Sequence, residues 1–364
     1  MTTNVHISDD RIAAIDALRG LAVIVWIVAD VALPVIFSFQ PSVGTEIAVT
    51  QLSRSIWHGL TLFDHVLPAI LTAMGAGLVF SDRRRNDRGD SMRERLMHIL
   101  GRSSLLFLVG FICTGGFERA WPDVRIMGIM QRIAICYLVA ASLNLLLRVR
   151  GLIIATVFLF MVHWALMACG EALGHESGNL AAVVDRLLLP GRAYFGDWDP
   201  EGILTTIPAI ATTVIGVLVG HCLSSSTWNS SMKLLTLGAS GAVAVANGVI
   251  LSDYVPINVY LWTSSFVMVT SGVLSLAIAG LYWLVDIRRC QAWVVTPVVA
   301  GRNALALVVL TSVMRFDMIA GRLVGGDIAE VLVSGGPFLR VVVQLVLICW
   351  LAFWLYDRRL FLTV

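Results

Sequence analysis

Residues 18–37 read LRGLAVIVWIVADVALPVIF, from Leu18 to Phe37. A helix of about 20 residues rises about 30 Å, the thickness of a bilayer's hydrocarbon core. This block is long enough to cross a membrane. Comparable blocks recur at Leu60–Ser81, Met97–Gly115, Arg125–Leu147, Gly151–Cys169, Ile203–Leu223, Leu234–Leu251, Leu261–Val285, Ala292–Met314 and Leu339–Tyr356. Inside hydrocarbon every backbone amide needs an internal partner, so each block is expected to be helical. The fold class is therefore an all-α integral membrane protein, a polytopic bundle of about ten transmembrane helices. It is read as a single transmembrane domain over residues 1–364.

Composition agrees. The 364 residues are 58% hydrophobic and 14% charged, against about 25% charged in a soluble domain. The polar, acidic opening MTTNVHISDDRIAAIDALRG lacks the basic start of a cleavable signal peptide, so the first block is expected to be retained. A net charge of +2 without a basic tail gives no nucleic-acid partner. The six cysteines, Cys113, Cys136, Cys169, Cys222, Cys290 and Cys349, show no paired spacing, so neither a metal site nor a disulfide framework is expected.

Short loops rich in Lys and Arg stay cytoplasmic. The segment 82–96 is strongly basic. Arg148 and Arg150, Lys233, Arg288 and Arg289, and Arg358 and Arg359 follow at alternate loops. With ten spans all of these fall on one side, and both termini are cytoplasmic. The segments 38–59, 170–202 and 315–340 then face outward, and the last of these has the mixed composition of an interfacial helix. The expected location is the cell (inner) membrane, with membrane lipids as partners and a homodimer left open.

Ionisable residues inside spans are costly and mark candidate sites. Asp16 and Arg19 share one helix face, as a structural ion pair or as part of a site. Asp30 lies deeper, with no basic residue within a helical turn. Arg302 and Asn303 fall near the middle of the ninth block. Arg125, Gln131 and Arg132 are spaced for a similar face of the fourth, where guanidinium forks suit phosphate or carboxylate. Asp64 begins the second block, and His58 precedes it as the best-placed histidine for acid–base work.

The stretches Ile15-Asp16-Ala17-Leu18-Arg19-Gly20, Trp57-His58-Gly59-Leu60-Thr61 with Asp64, and Arg125-Ile126-Met127-Gly128-Ile129-Met130-Gln131-Arg132 are followed in order by Val184–Leu189, Asp199-Pro200-Glu201-Gly202, Pro256-Ile257-Asn258 with Leu261-Trp262, and Gly301-Arg302-Asn303. In this series the chain resembles the heparan-α-glucosaminide N-acetyltransferase family of transmembrane acyltransferases, over nearly its whole length. The resemblance implies acetyl-CoA, or another acyl-CoA, as co-substrate on the cytoplasmic side and an amino sugar as acceptor on the far side. It adds Trp57, Asp199, Glu201, Asn258 and Trp262 to the candidate binding residues. The chain departs from the pattern in three places. Arg54 stands where a catalytic histidine is expected, Asp30 where an asparagine is expected, and Val259 where a lysine usually follows Pro-x-Asn. Arginine stays protonated, so Arg54 can be neither base nor acyl carrier. An Asp30–Arg54 pair would replace the neutral arrangement.

Three functions follow. The first is an acyltransferase acting on an outer sugar, amine or alcohol, activated by His58, Asp30 or Asp64. The second is a lipid or isoprenoid-diphosphate enzyme built on Asp30 and Arg54. The third is a non-catalytic anion-binding or transport protein using Arg132 and Arg302.

Overall fold

The computed structural model describes residues 12–37, 42–168, 178–196, 198–290, 293–326 and 335–360. Its helices are α1 (Ala13–Ile36), α2 (Val43–Leu52), α3 (Val66–Asp87), α4 (Met92–Cys113), α5 (Ile129–Leu146), α6 (Val149–Ala168), α7 (Leu180–Leu188), α8 (Ile203–Leu223), α9 (Ser230–Ser252), α10 (Ser264–Leu281), α11 (Val295–Arg302), α12 (Ala304–Val313), α13 (Phe316–Leu323) and α14 (Gly335–Asp357). Among the described residues nine helices are long and apolar enough to span a bilayer. The pair α11 and α12, bent by 72° at Asn303, makes a tenth if read as one broken span. The protein is thus a polytopic helical membrane protein.

Several boundaries differ from those expected. The basic segment 82–96 is mostly helical, because α3 runs on to Asp87 and α4 begins at Met92. A capping box starts α4: Ser91 Oγ accepts from the Glu94 amide, and the Glu94 carboxylate accepts from the Ser91 amide at 2.7 Å. Such a box satisfies two of a helix's free amides at once. The fourth span starts at Ile129 rather than Arg125. Of the segments expected to face outward, 38–59 holds α2, 170–202 holds α7, and 315–340 holds α13. Their stretches 38–41, 170–177 and 327–334 fall outside the described residues, as does the opening 1–11.

The centre of the bundle is α3 packed along α8, with α1, α5 and α10 around them. Their contact faces carry small residues: Thr72, Gly75 and Ala76 on α3 meet Thr213, Gly216 and Gly220 on α8. Lipid tails are as apolar as Leu, so helices in a membrane associate through such close backbone approach. The tightest crossing is α1 on α11. A Cβ added at Gly20 would lie 1.7 Å from the Pro297 carbonyl oxygen, and one at Gly301 would lie 1.9 Å from the Asp16 carbonyl oxygen. Glycine at these two positions lets the backbones touch, which places Arg302 beside Asp16. The start of α1 is fixed from another helix, because Asp286 accepts from the amides of Ala13 and Ala14 at 3.0 and 3.1 Å. Those amides have no partner within their own helix.

Candidate active site

The sequence DPEG, Asp199–Gly202, turns the chain into the start of α8. Asp199 Oδ1 accepts from the Glu201 amide at 2.9 Å, and the Asp199 carbonyl accepts from the Gly202 amide at 3.0 Å. The turn buries both acids, which are 1% and 3% exposed. Arg125 answers them. Its Nε and Nη2 donate to the two Asp199 oxygens at 2.7 Å each, and Nη2 also donates to Glu201 Oε2 at 2.6 Å. Such a forked, charge-assisted contact is among the strong hydrogen bonds. Arg54 reaches the other Glu201 oxygen at 3.5 Å. Arg132, buried on α5, donates to the Pro200 carbonyl and to Thr205 Oγ1, and lies over the Trp262 ring.

Burial pushes the Glu201 carboxyl up, but Arg54, Arg132 and Arg125 outweigh it and hold the group below the usual carboxylate range. Glu201 is therefore a fixed anion at neutral pH rather than a proton acceptor. Burial also depresses the Arg125 guanidinium, and its bonds to Asp199 and Glu201 more than reverse that.

Asp185 on α7 behaves oppositely. Burial raises it to about 6, with Asp199 adding to the rise, against the amide of Ile203 that donates to it at 2.9 Å. A folded pKa above the unfolded value favours the protonated form in the native state. Its stabilising contribution is complete below about 4 and is lost as pH rises through about 6. The expected result is that Asp185→Asn flattens the dependence of thermal midpoint on pH between those limits. Unfolding scans on purified wild type and variant would show this. A wild-type midpoint unaffected by pH across that window would contradict the assignment.

Asp64 closes the site from the segment before α3. One oxygen accepts from the amides of Thr61 and Ser55, at 2.9 and 3.3 Å. The other, Oδ1, is buried without a partner among the described residues. The carboxyl lines a cavity of about 30 Å³ together with Arg54, Arg132, Glu201, Trp262 and Trp26, room for about one water. Beside this cavity lies an aromatic group. Trp57 stacks on Tyr260 at 5.7 Å and meets Trp198 edge-on, while Phe195 stacks on Trp198 at 4.8 Å.

A larger cavity of about 470 Å³ opens at the basic end of the bundle. Its mouth carries Arg84, Arg85, Arg88 and His98, and deeper it is lined by Arg19, Arg102, Asp16 and Arg302. Asp16 is shared by Arg19 at 3.6 Å and Arg302 at 3.5 Å. Arg302 also donates to the Tyr356 hydroxyl, and Arg102 lies over the Tyr137 ring. Trp26 lines this cavity as well as the small one.

The expected residues thus fall into groups. Arg54, Asp64, Arg125, Arg132, Asp199, Glu201 and Trp262 come together. Asp16, Arg19 and Arg302 form a second cluster, and Asn303 closes the helix break, its amide donating to the Val299 carbonyl. Asp30 and Arg54 do not pair: Arg54 turns to Glu201, and Asp30 opens on another cavity, away from it. Arg125 is not on the fourth helix. It is extended, bridged to Gly191, and reaches the acids from there. Gln131 lies against Gly110 and Gly128, on a different side of α5 from Arg132. His58 is exposed and meets Trp57 edge-on. Asn258 holds the amides of Tyr260 and Leu261 at 2.8 Å each, an architectural role in the turn before Trp262. Sequence reasoning missed Trp26, Asp185, Thr205, Tyr260 and the cavity role of Arg84 and Arg88.

These features define a membrane-embedded helical protein with charged clefts at both ends. The chain belongs to the family described as "Heparan-alpha-glucosaminide N-acetyltransferase, catalytic", whose model matches residues 11–252. It is 25% identical over 354 residues to heparan-alpha-glucosaminide N-acetyltransferase of Mus musculus, covering 80% of this chain and 51% of that protein. To the Homo sapiens protein of that name it is 26% identical over 350 residues, covering 79% and 50%. The chain spans about half the length of these relatives. At the level of family it stands among membrane acetyltransferases.

Proposed function

We propose that the protein transfers an acyl group from acyl-CoA, entering the basic end, to a sugar, amine or alcohol acceptor at the opposite end. The basic end is assigned to the cytoplasm by its Arg and Lys excess, which makes both termini cytoplasmic in the cell (inner) membrane. The carrying observation is the 470 Å³ cavity. It lies within the usual range for ligand sites, about 300–1,000 Å³. Arginines ring its mouth, Arg19, Arg102, Asp16 and Arg302 line it further in among apolar side chains, and it shares Trp26 with the cavity of the Asp64–Arg54–Glu201 group. This order suits a donor with phosphates at one end and a thioester at the other.

The acceptor's N–H or O–H attacks the thioester carbonyl. Its proton passes to Asp64 Oδ1, the buried carboxylate oxygen without a partner among the described residues. The C–S bond breaks, a C–N or C–O bond forms, and the CoA sulfur leaves as thiolate to be protonated. Arg54, held among the described residues by its 3.5 Å contact to Glu201, has donors left for the developing oxyanion, the term that usually dominates such catalysis. Glu201 pairs with Arg54 and Arg125 and takes no proton.

Acetyl-CoA binding to the purified protein tests this reading. Arg88→Ala is expected to weaken it about 10- to 100-fold, since a hydrogen bond to a charged group is worth about 1.5–3 kcal/mol. Asp64→Asn should leave binding unchanged and abolish turnover. An Asp64→Asn protein that transfers acetyl at the wild-type rate would remove Asp64 from the chemistry.

A further inference from the structure

A third cavity, of about 600 Å³, lies between α1, α12, α13 and α14 at the end opposite the basic one. It takes no part in the acyl-transfer reading. Two ionisable side chains from candidate spans open on it, Asp30 of α1 and Arg340 of α14, with the Gln344 amide one turn below Arg340. Arg315 and Asp317 at its rim satisfy each other through two hydrogen bonds of 3.0 and 2.8 Å. Asp30 and Arg340 do not. Among the described residues neither has a hydrogen bond or an ion pair, with each other or with any third group.

This arrangement is physically incomplete. Both side chains are exposed to the cavity rather than packed in the core, and an ionised side chain carried by a transmembrane span is retained where it has a partner or a function. Two opposite charges lining one space without meeting leave room for something that meets both. A plain cation would neutralise Asp30 and leave Arg340 exposed to low dielectric, and a plain anion would do the reverse. A molecule carrying both charges completes both partners at once, and guanidinium forks favour phosphate or carboxylate. The wall formed by Trp26, Ile27 and Val31 supplies an apolar surface for the carbon skeleton between the charges.

We infer that this cavity binds a zwitterion, with a primary ammonium at Asp30 and a phosphate or carboxylate at Arg340. Phosphoethanolamine has this chemistry, either as the headgroup of a membrane lipid or as a free solute. The site stands independently of acyl transfer, because its lining shares only Trp26, and no charged residue, with that of the Glu201 cavity.

The test uses the full chain in phosphatidylglycerol nanodiscs, titrated with O-phosphoethanolamine and followed by tryptophan fluorescence. Saturable binding is expected, at least tenfold tighter than for ethanolamine or methyl phosphate alone. Phosphocholine, which has no N–H to donate, should also bind at least tenfold more weakly. Asp30→Asn and Arg340→Gln should each weaken phosphoethanolamine at least tenfold. If the source is a lipid, free phosphoethanolamine will fail to bind. Native mass spectra should then show phosphatidylethanolamine retained over phosphatidylglycerol by the wild type and lost in both variants. The single-charge comparison needs no variant, so it decides even if one of them fails to fold. Equal binding of the zwitterion and its two halves, variants that bind as the wild type does, or no selectivity in either arm would overturn the inference.

Discussion

Arg125→Ala is expected to destabilise the protein by about 3–5 kcal/mol, the usual cost of stripping one partner from a buried ion pair. The reason is local arithmetic of charge. Asp199 and Glu201 are both buried, and Arg125 supplies three of the short bonds that compensate them. Without it Arg54 remains at 3.5 Å from one oxygen of Glu201, and Asp199 keeps only the amides of Tyr194 and Glu201. Two carboxylates cannot stay ionised side by side in so dry a place, so one takes up a proton or the turn before α8 opens. Denaturant unfolding in detergent micelles, followed by tryptophan fluorescence, would measure the loss. Arg125→Ala with Asp199→Asn should recover part of it, because the second change removes the stranded charge. If Arg125→Ala unfolds at the wild-type midpoint, the cluster is not what holds the head of α8.

Gly301→Val is expected to separate α1 from α11 and with it abolish acetyl-CoA binding. A Cβ at this position would stand 1.9 Å from a backbone oxygen of α1. Backbone cannot swing aside as a long side chain can. Overpacking of an ordinary core costs about 1–3 kcal/mol, and here the helices must also part. Parting moves Arg302 away from Asp16, now 3.5 Å apart, and so disturbs the depth of the basic cavity. Isothermal titration with acetyl-CoA, alongside the thermal midpoint, checks both effects. A variant that binds acetyl-CoA normally would show that the close crossing does not shape this cavity.

The helices were legible because hydrocarbon imposes one rule on every span: length and apolarity. Partnerships between spans were not. Nothing near Arg302 in sequence announces Asp16 as its ion-pair partner, because a contact across the bundle leaves no periodicity. Arg125 looked helical since the apolar run from Ile126 onward continues into α5. The extended backbone through Gly128 breaks that run without changing its hydropathy. Arg84, Arg85 and Arg88 were read as markers of orientation. The same arginines that serve as an orientation signal also line the cavity, and composition cannot separate those roles. The expected Asp30–Arg54 pair rested on placing two residues at the same depth. Depth says nothing about the angular position around the bundle, and the two side chains serve different clefts. Trp26 gave no signal, since tryptophans are common in apolar blocks.

That tryptophan lines all three cavities. A membrane protein with clefts at both ends has to keep its two aqueous sides electrically apart. In this protein the linings of the cleft at the basic end and of the two clefts at the opposite end have one residue in common, the indole of Trp26.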